Sequence, residues 1–293
     1  MLFFQSMPVC EYDWWFRAGF EYPACLIFAL ISIFIFGSCW GSFMNVCIWR
    51  MPRRESVVTA PSHCTTCGAD IRWYDNLPVI SYIVLRGKCR ACHTHYSCRY
   101  FIVEVIMGLL FCGVFVKAGL SQQVPGVLAS YWILLLFAVA AAWIDARHRI
   151  IPDALNYPAM FLGIVCAGLL PEVWGTGVWY VAIFYSFLSG ALPGIFLLLF
   201  SVIGEKITGR EVLGWGDVKF LAACGTLLGL PAALFILLAG SFSGSIAGVI
   251  CAVSGRKKLA DMAIPFGPFL AGGAIFWVFA GNWFYPLLNA FCR

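Results

Sequence analysis

Charge is what the chain has least of. Only 11% of its 293 residues are Asp, Glu, Lys or Arg, against about 25% in a soluble domain. That deficit excludes a water-soluble globule, whose surface needs charge to cover it. It also excludes intrinsic disorder, which pairs high charge with low hydrophobicity, whereas 62% of this chain is apolar. There is no glycine period and no sustained heptad, which removes collagen and coiled coil. The roughly ten-residue alternating segments of a membrane β-barrel are missing as well. Residues 1–23 hold Glu11, Asp13, Arg17 and Glu21 and no apolar core, so no cleavable signal peptide is expected. The net charge of +5 is mild. Basic residues in such a chain set orientation, so no nucleic-acid partner is expected.

What is present is a series of long apolar runs. A span needs about twenty apolar residues. The expected fold is an all-α polytopic membrane protein with about eight transmembrane helices and a small cytoplasmic segment. The runs are 24–49, 100–116, 127–144, 154–170, 178–203, two within 218–253, and 265–284. The stretch 218–253 is too long for one helix, and Gly229-Leu230-Pro231 is a turn signal in its middle. Four parts follow: 1–23 as a periplasmic segment, 24–49 as the first span, 50–99 as a polar segment, and 100–293 as a seven-helix membrane domain. With eight spans, segment 50–99 and loops 145–153, 204–219 and 254–264 share one side and carry sixteen of the nineteen Lys and Arg. By the positive-inside rule that side is cytoplasmic and both termini are outside.

Fourteen cysteines are present; ten are scattered, and most of those lie in apolar runs where Cys behaves as a small hydrophobe. Four are different. Cys64-Thr65-Thr66-Cys67 and Cys89-Arg90-Ala91-Cys92 are two CxxC knuckles. Each can bend around one tetrahedral ion, and together they make a four-sulfur zinc site. A reducing cytoplasm argues against disulfides, and a thioredoxin-like reading lacks its βαβ unit. Four thiolates leave no open position, so this metal is structural. His63 and His93 adjoin the knuckles and are expected to be solvated or outside the ligand set.

Among only seven Asp, Asp145 ends the third apolar run and Asp217 begins the sixth, within Gly214-Trp215-Gly216-Asp217. An ionisable group at the membrane edge is costly and functional by default. For one carboxylate, pairing with Arg147, Arg149 or Lys219 is the blander account. Two at the same depth on different helices point to an aspartic-protease pair, which shares a proton between water activation and the scissile carbonyl. Gly214 and Gly216 would let an extended substrate backbone approach. Asp153, eight residues past Asp145, reads as loop or helix N-terminus. Glu104, four residues into the second span, is either a carboxylate paired with Arg99 or a polar group lining a cavity. Glu211 either pairs with Arg210 or Lys206 or reads a basic substrate.

The strings Gly37-Ser38-Cys39-Trp40-Gly41-Ser42-Phe43-Met44-Asn45, Asp75-Asn76-Leu77-Pro78, Arg99-Tyr100 with Val103-Glu104, Ile151-Pro152-Asp153, Gly214-Trp215-Gly216-Asp217-Val218-Lys219 and Ile264-Pro265-Phe266-Gly267-Pro268 occur with both knuckles and in order. Over 37–273 the chain resembles the type IV prepilin peptidases, bacterial inner-membrane aspartic proteases. Thr65 and Phe101 stand where proline is common in that family. The resemblance implies removal of a short basic leader from prepilins or pseudopilins at the cytoplasmic face, with Asp145 and Asp217 as catalytic residues. It also implies methylation of the new N-terminus with S-adenosylmethionine as donor. The alternatives are a membrane aspartic peptidase without methyltransferase activity and a proton-coupled transporter. The latter usually has midplane sites and internal repeats, neither of which is seen here.

Overall fold

A computed structural model describes residues 23–59, 62–120, 126–209, 213–254 and 265–291. Among these the chain is helical, and its only β-pairing is two isolated bridges. The helices are α1 (Pro23–Arg50), α2 (Ile80–Leu85), α3 (Arg99–Leu120), α4 (Gly126–His148), α5 (Asp153–Leu169), α6 (Trp179–Thr208), α7 (Trp215–Leu228), α8 (Leu230–Val253) and α9 (Gly267–Phe291). Apart from the six-residue α2 these correspond to the eight expected runs. Five of them, α1, α3, α4, α6 and α8, are long and apolar enough to cross a membrane. The chain is a multi-pass membrane protein. Helices are the outcome because lipid offers no partner for backbone N–H and C=O groups, so each segment must satisfy its own. The break between α7 and α8 falls at Gly229, whose φ of +90° is open only to glycine at low cost.

Two compact units form, 23–120 and 126–291 among the described residues. In the first, α1 and α3 pack closely because small residues meet at the crossing. A Cβ on Gly41 would stand 2.8 Å from Glu104 Cα, and one on Gly37 2.9 Å from the Met107 carbonyl. Backbones this close are the usual route to helix association in lipid. The Asn45 side-chain amide donates to the Tyr100 carbonyl at 3.0 Å.

In the second unit α7 is the central helix. Val218, Phe220, Leu221 and every residue from Ala223 to Leu228 are buried. It packs against α6 through glycine at Gly190 and Gly225, and the Ser186 hydroxyl donates to the Thr226 carbonyl at 2.8 Å. Phe137 of α4 stacks on Phe220 of α7, with ring centroids 4.5 Å apart. Gly163 of α5 faces Thr226 of α7. These contacts fix where the first turn of α7 stands relative to the last turn of α4.

Candidate active site and metal centre

Asp145 lies in the last turn of α4 and is 5% exposed. The backbone N–H of Gly267, which begins α9, donates to its Oδ2 at 2.8 Å. A Cβ on Gly267 would stand 2.8 Å from both Cβ and Oδ2 of Asp145, so only glycine allows the approach. This bond orients the carboxylate and leaves Oδ1 available. Asp217 is in the first turn of α7, half-buried, with its N–H bonded to the Gly214 carbonyl at 3.0 Å. It is close enough to feel the charge of Asp145. Neither carboxylate forms an ion pair within 4 Å among the described residues, and Arg149, four residues past Asp145, acts on it only through its charge. Lys219 instead pairs with Asp153 at 2.6 Å, and its ammonium lies 5.2 Å from the Tyr157 ring centroid. Asp153 opens α5 as its first residue, after Pro152.

The two glycines of the Gly214-Trp215-Gly216-Asp217 turn act differently. A Cβ on Gly214 would meet Asp217 Oδ2 at 3.2 Å, so its bareness keeps the face of that carboxylate open. A Cβ on Gly216 would meet Ile151 N, Cβ and O at 3.1, 3.1 and 3.2 Å. Gly216 therefore serves the close approach of the chain's own α4–α5 connection, which brings the two Asp-bearing ends together. Gly267 is the site residue that motif reasoning passed over. Its signal was the string Pro265-Phe266-Gly267-Pro268, whose role cannot be read without knowing that it meets Asp145. Glu211 lies outside the described residues.

In the other unit, Glu104 is buried, and its Oε2 accepts the Val79 N–H at 2.7 Å. The Ser42 side chain also reaches it. Its partners belong to the chain itself, which makes it an anchor between α3 and the segment carrying the cysteines.

The four Sγ atoms of Cys64, Cys67, Cys89 and Cys92 lie within 4.8 Å of one another. The Cys64 and Cys92 sulfurs are 3.9 Å apart, close to the edge of about 3.8 Å that a tetrahedron with 2.3 Å zinc–sulfur bonds requires. The two knuckles are built alike. Cys64 N–H donates to Ala69 O, and Gly68 N–H to Cys64 O. Cys89 N–H donates to Thr94 O, and His93 N–H to Cys89 O. Gly68 and His93 occupy equivalent left-handed positions, with φ of +73° and +57°. His93 thus closes a turn. The N–H groups of Cys67 and Thr66 favour the thiolate of Cys64, lowering its pKa. The Thr94 hydroxyl, 3.4 Å from the Cys92 sulfur, helps lower that thiol to about 6. The neighbouring thiols push Cys67 the other way, up to about 11, so without a cation the four do not ionise together; thiolates are the form that binds metal. The second knuckle is tied down by Arg90, which donates through Nε and Nη2 to both oxygens of Asp75 at 2.6–3.0 Å.

Residues 132–249 match the model of the type IV leader peptidase family, and residues 35–118 that of the bacterial peptidase A24 N-terminal domain. A protein of Burkholderia pseudomallei named prepilin leader peptidase/N-methyltransferase is 34% identical over 281 residues, covering 87% of this chain and 86% of that one. The chain belongs to this peptidase family. A relative of the same name from Pseudomonas aeruginosa is 33% identical over 274 residues, or 84% of this chain and 88% of its own. One from Myxococcus xanthus is 34% identical over 221 residues, or 75% of this chain and 62% of that longer protein. No solved structure matches. The two family models divide the peptidase as its two compact units do: the cysteines and Glu104 fall in one, Asp145 and Asp217 in the other.

Proposed function

We propose that this chain is a bifunctional prepilin leader peptidase and N-methyltransferase of the bacterial inner membrane, with Asp145 and Asp217 as its catalytic pair facing the cytoplasm. The observation that carries the reading is a carboxylate at 5% exposure, fixed by one N–H donor and with no ion pair within 4 Å among the described residues, beside a second carboxylate on a helix N-terminus. A structural ion pair would contain a cation. Two carboxylates that face one another share a proton. One takes a proton from water as the water attacks the scissile carbonyl, and the other hydrogen-bonds that carbonyl oxygen. The proton then passes to the leaving amine. The bond from Gly267 holds Asp145 in one rotamer through the cycle.

The substrates are prepilins or pseudopilins, which present a short basic leader ahead of an apolar helix. That helix enters the bilayer and the leader stays in the cytoplasm, so the cut falls at the membrane edge. The four cysteines hold a zinc ion, which supplies folding energy to segment 50–99 and leaves no open position for catalysis. S-adenosylmethionine is the co-substrate for methylating the new N-terminus. Mass spectrometry of a co-expressed prepilin tests both halves. Loss of the leader with a gain of 14 Da is expected, leader loss alone would remove the methyltransferase half, and an intact precursor would overturn the proposal.

A further inference from the structure

The longest apolar run of segment 50–99 is Leu77-Pro78-Val79-Ile80-Ser81-Tyr82-Ile83-Val84-Leu85. The run is too short to span and of the size of interfacial segments. It forms α2, and Ile80, Ile83 and Val84 are 58, 61 and 67% exposed. A soluble zinc module would not leave such a face in water.

The depth of α2 is fixed by the hydrogen bond between Val79 N–H and Glu104. Glu104 lies five residues inside α3 from Arg99, or about 7.5 Å at 1.5 Å per residue. It is level with Gly41 of α1, against which it packs, and Gly41 lies nine residues before Arg50, or about 13 Å. The headgroup layer on one side of a bilayer is roughly 5–8 Å thick. The first residue of α2 is thus held at or below the base of the headgroups. Val79 keeps φ +64° and ψ −50° there, an unfavourable conformation for a β-branched residue that persists only where surrounding contacts enforce it. Exposed Arg72, Arg86 and Lys88 flank the run, which suits anionic lipid headgroups.

We infer that α2 is a membrane-interface helix, with Ile80, Ile83 and Val84 among the upper acyl chains and the flanking basic residues among anionic headgroups. The chain leaves the first knuckle, dips into the interface at Val79 and returns to the second knuckle, so the metal centre is pinned to the membrane surface. This inference rests on the depth of α1 and α3 and is independent of the catalytic reading.

The full chain in nanodiscs of anionic phospholipid provides the test. Hydroxyl-radical footprinting should modify Val84 less than one tenth as much as Val58, which is 85% exposed in the same segment. A phospholipid with a diazirine in its upper acyl chain should leave adducts on residues 80–84 and none on 55–59. Oxidation of Val84 to the level of Val58 would show that α2 faces water and overturn the inference. Protection of Val84 without lipid adducts would show that protein covers it, and would overturn the inference equally.

Discussion

Replacing Gly267 by Ala probes how tightly the carboxylate of Asp145 is placed. The new methyl would stand 2.8 Å from Asp145 Cβ and Oδ2 and 3.0 Å from Cγ. Ordinary carbon contacts are about 3.5–4.0 Å, so α9 or Asp145 must shift by about 1 Å. A misplacement of 1 Å in a catalytic group costs about 100-fold in rate, equivalent to about 2.7 kcal/mol of barrier. Overpacking itself costs about 1–3 kcal/mol of stability, so the two effects need separating. Gly272, also in α9, has nothing within 4 Å of its missing Cβ. Gly272→Ala should leave activity unchanged and stabilise by about 0.5–1 kcal/mol. The assay is single-turnover cleavage of a prepilin in proteoliposomes, with thermal unfolding measured in parallel. Gly267→Ala turning over within threefold of wild type would refute the view that the Gly267 contact sets the geometry of the pair.

Asp145→Asn and Asp217→Asn should each lower cleavage by at least about 100-fold with normal insertion, because an amide cannot exchange the shared proton; near-normal turnover by either removes that residue from the pair. Elemental analysis should find one zinc per chain and markedly less in Cys89→Ser, with the thermal transition of the 126–291 unit unmoved, and metal-free wild type purified without chelator would contradict the site. His93→Gly should relieve about 1 kcal/mol of left-handed strain and slow zinc release to a competing chelator about fivefold, while Gly68→Ala, which meets no atom, should speed it. Asp75→Asn should loosen the second knuckle, read by hydrogen exchange of residues 73–76 and 89–92. The bonds from Arg90 hold the Asp75 carboxyl below its usual range, so the stabilisation is present above about pH 4 and is lost as pH falls through the lowered value. The gap between wild type and variant should be constant from pH 8 to 5 and close below 4.

The helix pattern was legible because lipid imposes one rule on every span, a long apolar run with its own backbone satisfied. Even the split at Gly229 could be read from Gly-Leu-Pro. The knuckles were legible from the spacing of Cys64, Cys67, Cys89 and Cys92 alone, since two intervening residues define the turn. Asp145 and Asp217 stood out because acids are rare at a membrane edge. What could not be read was partnership across distance. Nothing local says that Gly267 donates to a residue 122 positions earlier, or that Glu104 takes the Val79 N–H. The run 77–85 was passed over because length rules that find spans discard a helix of six residues. Gly216 was read as room for substrate, when the neighbour it admits is Ile151. Glycine announces a close approach without saying to what.

The shortness of α7 has a consequence for where Asp217 stands. Fourteen residues rise about 21 Å, against about 30 Å of hydrocarbon. A lipid-facing helix that short would pinch the bilayer around it. Helix α7 escapes this because its neighbours surround it, and the Trp174 ring lies against the turn at Gly229. Its length answers to protein packing alone. The position of Asp217 is therefore set by a ruler made of protein, and on the proposed catalytic reading the cleavage point does not drift when membrane composition changes the thickness of the bilayer.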